Sequence, residues 1–149
     1  MPVITKSIII NVPVTMAYNQ WTQFEEFPHF MEGIVEVTQI DDTTLHWVAE
    51  IGGRREEWEA RITEQLPDEK IAWRSESGAM NSGVVTFQPI NASQTKISLE
   101  IEYNPSGVVE TVGDMMGYVS RQVEANLRRF KEFIESRDRE SGAWRGKVA

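Results

Sequence analysis

The stretch ETVGDMMGYVSRQVEANLRRFKEFIESR, residues Glu110 to Arg137, decides the fold. Val112, Met116, Val119, Val123, Leu127, Phe130 and Ile134 recur every three or four residues and form one apolar stripe, the spacing of an amphipathic helix with a single buried face. Arg121, Glu124, Arg128, Lys131 and Glu135 fill the opposite side, and Glu124 and Arg128 sit four apart, where opposite charges support a helix. At about 1.5 Å per residue, a helix of this span is roughly 40 Å long. Burying seven such side chains contributes on the order of 10–20 kcal/mol gross, as an upper bound. A rod that long with one apolar face needs a surface of similar length to lie on.

The residues upstream supply that surface. Val3 to Val12 is β-branched and reads as a strand. Pro13 ends it and opens a short helix from Val14 to Trp21, in which Val14, Ala17, Tyr18 and Trp21 share a face. Phe24 to Met31 is a second short apolar piece interrupted by Pro28. Strands follow at Ile34–Ile40, Leu45–Ile51, Arg54–Leu66, Ile71–Glu76, Val84–Ile90 and Lys96–Tyr103. Turns punctuate them at Asp41–Thr44, Gly52–Gly53, Pro67–Glu69 and Asn91–Gln94, each rich in residues that favour tight turns. Ser77 to Gly83 is expected to be a flexible loop, and Asn104-Pro105-Ser106-Gly107 breaks the pattern before the helix.

Period-two alternation assigns the faces of these strands. Ile97, Leu99, Ile101 and Tyr103 oppose Lys96, Ser98, Glu100 and Glu102; Trp58, Ala60 and Ile62 oppose Glu57, Glu59 and Arg61; Ile71 and Trp73 oppose Ala72 and Arg74. The expected architecture is α+β: a curved antiparallel sheet of about seven strands, two short helices after the first strand, and a long C-terminal helix closing a cavity. One domain is expected over residues 1–149, with 138–149 a loose polar tail holding Trp144.

Composition excludes several functional classes. A net charge of -8 argues against a nucleic-acid partner, because phosphate binding rests on clustered Lys and Arg, and it disfavours docking on anionic membranes. There are no cysteines, so disulfides, thiolate nucleophiles and Cys-bound metals are excluded. No segment approaches the roughly 20 apolar residues of a membrane span, and the first ten residues lack a signal-peptide core. A cytoplasmic location is expected. The sequon Asn91-Ala92-Ser93 is then simply a polar turn.

The order strand, two short helices, six strands, long helix is the helix-grip arrangement, and it resembles the START-like superfamily, which includes polyketide cyclase/dehydrases and coenzyme Q-binding proteins. Val12-Pro13-Val14 through Tyr18-Asn19-Gln20-Trp21-Thr22-Gln23-Phe24-Glu25-Glu26-Phe27-Pro28 is similar to the N-terminal signature of the bacterial cyclase/dehydrase branch. Ile62-Thr63-Glu64-Gln65, Ile71-Ala72-Trp73-Arg74-Ser75, Gly83-Val84-Val85-Thr86-Phe87 and Gly142-Ala143-Trp144-Arg145-Gly146 also resemble that branch. The resemblance implies the fold. It carries no invariant catalytic motif onto this chain, and the superfamily hosts lipid carriers, cyclases, hydrolases and chaperone activators on one scaffold.

The chain has no GxSxG, no HExxH, no phosphate-binding glycine loop and no dinucleotide fingerprint. His29 and His46 lie 17 positions apart without cysteines and do not spell a metal site. No cofactor is expected. Trp47, Trp58 and Trp73 fall on successive strands and, with Phe87, Tyr103, Met115, Met116, Val119 and Val123, are the expected ligand-cavity wall. Arg54, Glu56 and Ser75 are the polar candidates; Glu64 shares the strand parity of Glu56, and the two are expected at the strand ends, where the sheet opens to water, the alternative being that both point into the cavity and one acts as an acid. Gly107, Gly113 and Gly117 near the helix start suggest a late start or a kink at the cavity mouth.

These readings point first to binding of a small apolar ligand (lipid, quinone or aromatic polyketide) without strong catalysis. An aromatase/cyclase drawing an acid/base pair from Glu56, Glu64, His46, Arg54 and Tyr103 is the alternative. A protein-interaction module using the outer sheet face or Trp144 is a third. An enclosed cavity above about 300 Å³ separates the first two from the third.

Overall fold

A computed structural model of the 149-residue chain describes residues 3–51, 53–78, 80–104, 112–137 and 139–148, without the side chains at positions 51, 77, 78, 80, 103, 104 and 112–116. Seven strands run as β1 (Val3–Ile10), β2 (Ile34–Gln39), β3 (Thr44–Ile51), β4 (Arg54–Leu66), β5 (Lys70–Gly78), β6 (Met80–Asn91) and β7 (Gln94–Asn104). Helix α1 (Val14–Trp21) and a 3-10 turn (Phe24–His29) lie between β1 and β2, and helix α2 (Val112–Glu135) follows β7. The strands form one antiparallel sheet in the order β1-β7-β6-β5-β4-β3-β2. This is the helix-grip α+β arrangement that the sequence pattern predicts.

Local chemistry explains the boundaries. Pro13 holds φ -61 and ψ 152 as the residue before α1, the extended geometry that closes a strand and admits a helix. Gly53 turns the β3–β4 hairpin at φ 82, a conformation that only glycine adopts freely. The expected flexible loop from Ser77 to Gly83 is replaced by extended β5 and β6, which run on to Gly78 and from Met80. Trp73 pairs with Gly83 and Arg74 with Ser82, so the ladder continues where the glycines suggested a break.

One half of the space under the sheet is solidly filled. Trp21, Phe24, Phe27 and Phe30 turn inward from α1 and the 3-10 segment and meet Phe87 of β6 and Phe130 of α2. Trp21 contacts Phe130 edge-on at 4.9 Å and Phe87 at 6.1 Å, and Tyr18 meets Phe87 at 5.3 Å. Edge-to-face contact of this kind is the favoured arrangement of aromatic quadrupoles.

Within the loose tail expected for 138–149, the described residues 140–148 form a strap across α1. Ser141 N donates to Gln20 Oε1 at 2.9 Å and Gln20 Nε2 donates back to Ser141 Oγ at 3.0 Å. Trp144 N donates to Thr22 Oγ1, and Arg145 Nη1 donates to Asn19 Oδ1 and Asp68 Oδ1. Val148 exchanges two backbone hydrogen bonds with Gln65. The physical reason lies in α1, whose residues from Ala17 to Trp21 are all buried. A helix buried all round needs cover on both sides, and Asn19 and Gln20 need partners when buried. The strap supplies both. Beneath it, burial pushes the Tyr18 phenol pKa upward.

Hydrogen bonds of this kind contribute roughly 0.5–1.5 kcal/mol each, so removing residues 139–149 is expected to cost about 2–4 kcal/mol of stability. Urea unfolding of the full and shortened chains measures this directly, and an unchanged midpoint would show that the strap contributes nothing.

Candidate functional site

The other half of the space, between β3–β5 and the N-terminal part of α2, holds a cavity of about 190 Å³. Trp47, Trp58 and Trp73 form its sheet wall, with Leu45, Ala49 and Ile62 between them. Val119, Val123 and Leu127 face it from α2. Trp47 and Trp58 are register partners on β3 and β4. Their rings stack at 5.9 Å with planes 5° apart, so two parallel indoles stand together in one side of the wall.

Trp73 is seated differently. Its Nε1 donates to Asn81 Oδ1 at 3.1 Å, while Asn81 N donates to Ser75 Oγ at 2.9 Å. Its ring lies over Gly83, where an added Cβ would come within 2.6 Å of both the Trp73 ring and the Glu100 carbonyl oxygen. The glycine is what lets this indole lie flat against the sheet and leaves room beside it.

The rim is polar. Glu32 and Glu50 are exposed lining residues, and Tyr118, Gln122 and Asn126 join them from α2. Gln122 Nε2 and Asn126 Nδ2 both donate to the Glu32 carbonyl oxygen, at 3.2 and 3.3 Å. Arg129 Nη2 holds the Glu32 carboxylate at 2.7 Å. Gly33, at φ +92, makes the turn, and its carbonyl accepts from Glu50 N at 2.7 Å.

Of the residues expected at the cavity, Trp47, Trp58, Trp73, Val119 and Val123 line it. Phe87 does not: it packs in the aromatic cluster against Tyr18 and Trp21, because β6 crosses the filled half of the sheet. The side chains of Tyr103, Met115 and Met116 lie outside the described residues, as does Gly107. Of the polar candidates, Arg54 is half exposed, Glu56 is buried 3.8 Å from it, and neither lines the cavity. Ser75 is buried but serves the Asn81 backbone rather than the wall. Glu64 does not share the orientation of Glu56. A β-bulge between Ile62 and Glu64 reverses the parity, so Gln65 is buried while Glu64 reaches the surface and pairs with Lys70 at 3.0 Å.

His46 is on the opposite face of β3 from Trp47. Its Nε2 lies 3.2 Å from Glu57 Oε1, and that hydrogen bond, together with one from Arg55, holds the Glu57 carboxyl below its usual range. Among the described residues, no cluster of three or more His, Cys, Asp or Glu is placed to hold a metal ion, and no helix is long and apolar enough to cross a membrane. Sequence reasoning missed the rim. The available signal was Gln122 and Asn126, one turn apart at the border of the α2 stripe, facing the positive-φ glycine of a tight turn.

Over residues 10–132 the chain matches the family described as polyketide cyclase / dehydrase and lipid transport, and it belongs to that family. It is 48% identical over 149 residues to an uncharacterized 17.2 kDa protein of Streptomyces lincolnensis, covering 99% of both chains. Among solved structures, a protein of Deinococcus radiodurans is 28% identical, with a TM-score of 0.73 over 91% of this chain and 98% of that one. The Zhui aromatase/cyclase of a Streptomyces species superposes with a TM-score of 0.81 over 96% and 99%, at 15% identity. At that identity the likeness is one of fold.

The Gly83 contact yields a direct test. Gly83→Ala is expected to destabilise the protein by about 1–3 kcal/mol, the usual cost of overpacking, because a backbone carbonyl cannot give way as a flexible side chain can. Chemical denaturation measures the loss, and a neutral effect would mean that Gly83 does not lie this close to the Glu100 carbonyl of β7 and the Trp73 ring.

Proposed function

We propose that the chain binds one small apolar molecule in the cavity between the sheet and α2, by enclosure rather than by chemistry. The observation that carries this reading is a wall built mainly from aromatic and aliphatic side chains, Trp47, Trp58 and Trp73 on the sheet side with Trp21, Phe24 and Phe27 beside them, the ionisable lining residues among those described being Glu32, Glu50 and Tyr118. Both carboxylates are exposed, and Glu32 is engaged by Arg129. General acid/base catalysis needs a proton-carrying group within hydrogen-bond reach of the reacting atom. Of the residues first considered for that role, His46, Glu56, Glu64 and Arg54 are outside the wall, and the Tyr103 side chain lies outside the described residues.

Size narrows the ligand. Pockets for drug-sized molecules run to roughly 300–1,000 Å³, and the cavity of about 190 Å³ falls short of the 300 Å³ expected. An apolar void of about 150 Å³ accommodates benzene. One ring, or two fused rings, matches the space; a long acyl or poly-keto chain does not fit within it.

The test is native mass spectrometry of the protein purified from its own host, beside Val119→Phe, which places a ring in the cavity from the α2 side. The expected result is a bound small-molecule mass on the natural protein that is lost from the variant, with the thermal midpoint retained. A natural protein that carries no guest, and takes up none when offered small aromatic compounds, would sink the proposal.

A cyclase acting on a keto-bearing chain is the second reading. The family description and the buried carboxylate of Glu56 favour it. Glu56→Gln distinguishes the two. For a binding protein, affinity is expected to stay within about twofold, because the swap removes charge without changing shape; for a cyclase, turnover is expected to vanish.

A further inference from the structure

Two indoles in the cavity wall differ in their hydrogen bonding. The Trp73 N–H is satisfied by Asn81. The Trp47 Nε1 is buried and finds no acceptor among the described residues. A buried donor without an acceptor loses the hydrogen bond it made to water in the unfolded chain, so any acceptor that reaches it is bound with a gain. Ring contacts hold the Trp47 indole, with Trp58 stacked against it and Phe27 tilted at 5.8 Å. No polar contact fixes its N–H, so a modest turn of the ring presents that group to a guest lying on the same aromatic surface.

Charge supplies an independent restriction. The charged lining residues among those described are Glu32 and Glu50, and no Lys, Arg or His lines the cavity. A carboxylate or phosphate on the guest would surrender its hydration and meet like charge, with no cation in the wall to receive it. An ammonium buried against the tryptophans, away from the exposed carboxylates of the rim, would likewise find nothing to replace its water.

We propose that the guest is an uncharged, planar compound of one or two fused rings carrying an oxygen acceptor, and that this oxygen takes the Trp47 indole N–H. The proposal rests on the cavity-binding reading above and goes beyond it by naming the contact, the acceptor and the excluded class of anionic lipids. Trp47 is then a specificity residue: the Trp58 face contributes affinity for any flat hydrocarbon, and the Trp47 N–H contributes the preference for an oxygenated one.

Three matched two-ring probes test this on the full chain: indane, indanone and indane carboxylate. Calorimetric titration is expected to show indanone binding about tenfold more tightly than indane, the size of one hydrogen bond to an otherwise unpaired donor, and the carboxylate binding more weakly than either. Indanone is expected to shift the Trp47 indole N–H resonance in a nitrogen–proton correlation spectrum, and indane to leave it nearly in place. Trp47→Phe is expected to lose the preference for indanone over indane, whatever its affinity for the hydrocarbon becomes. Equal affinities for indane and indanone, an unmoved Trp47 resonance, or tightest binding by the carboxylate would each overturn the proposal while leaving the cavity reading intact. Failure of all three probes to bind would overturn the cavity reading and this proposal with it. Because the resonance is read on the natural protein, the test survives if the Phe variant does not fold.

Discussion

A straight helix laid against a curved sheet fits closely over only part of its length, and in this protein the poor fit at one end is where the cavity lies. Helix α2 spans 24 residues, about 36 Å at the usual rise. Toward its C-terminus, Leu127, Phe130 and Ile134 are fully buried against rings supplied by α1 and the 3-10 turn. Toward its N-terminus, Val119 and Val123 face the tryptophans of β3, β4 and β5 across open space. The short helices therefore do more than connect strands. They deliver Trp21, Phe24, Phe27 and Phe30 to one half of the concave face, and the hollow survives where those rings stop.

The curvature that creates this mismatch is written into β4. Register shifts at Glu59/Ala60 and at Ile62/Glu64 interrupt its pairing with β5, and bulges bend and twist a strand locally. The same shifts decide which side chains see the interior. Glu56, Trp58, Ala60 and Ile62 are buried, and after the second bulge Gln65 replaces Glu64 on that face. Beyond the end of its pairing with β3, the strand has a free edge, and Val148 of the strap pairs with it there. One strand thus couples the cavity wall, the curvature and the attachment of the C-terminal segment.

This division explains which features were legible in the sequence. The apolar stripe of α2 and the alternation of β7 are repeated signals, with each residue supporting the same assignment, and they place Val119, Val123, Ile97 and Leu99 correctly. The inward tryptophans follow from parity, which the Glu59/Ala60 shift leaves unchanged along β4, where Trp58, Ala60 and Ile62 are all buried. Glu64 escapes the same rule because a bulge inserts one residue without requiring Gly or Pro, so nothing in Ile62-Thr63-Glu64 announces it. Phe87 obeys parity, and its inward face is as expected; its position along the strand places it in the filled half, which alternation does not encode. The strap is missed because its bonds join residues 77 to 126 positions apart, and composition reports only that residues 139–148 are mostly polar. The corresponding sign lay in α1, where Asn19 and Gln20 break an otherwise apolar neighbourhood without a local partner.

The rim and the wall are held by different forces, and this bears on how a guest reaches the interior. The wall is packed ring on ring and ring on aliphatic, so displacing it gives up dispersion and buried apolar area together. The rim is closed by amide donors on a single carbonyl, Gln122 and Asn126 on Glu32, at the long end of hydrogen-bond distances, and by the exposed Arg129–Glu32 ion pair, all beside water that can replace them. Opening the Glu32–Gly33 turn away from α2 exchanges those bonds for bonds to water and exposes little apolar surface, whereas separating α2 from the aromatic cluster exposes a great deal. The two ends of α2 consequently have different tasks. Its C-terminal half anchors the fold through Phe130 and Ile134. Its N-terminal half borders a hollow whose edge is polar and carries Glu32 and Glu50.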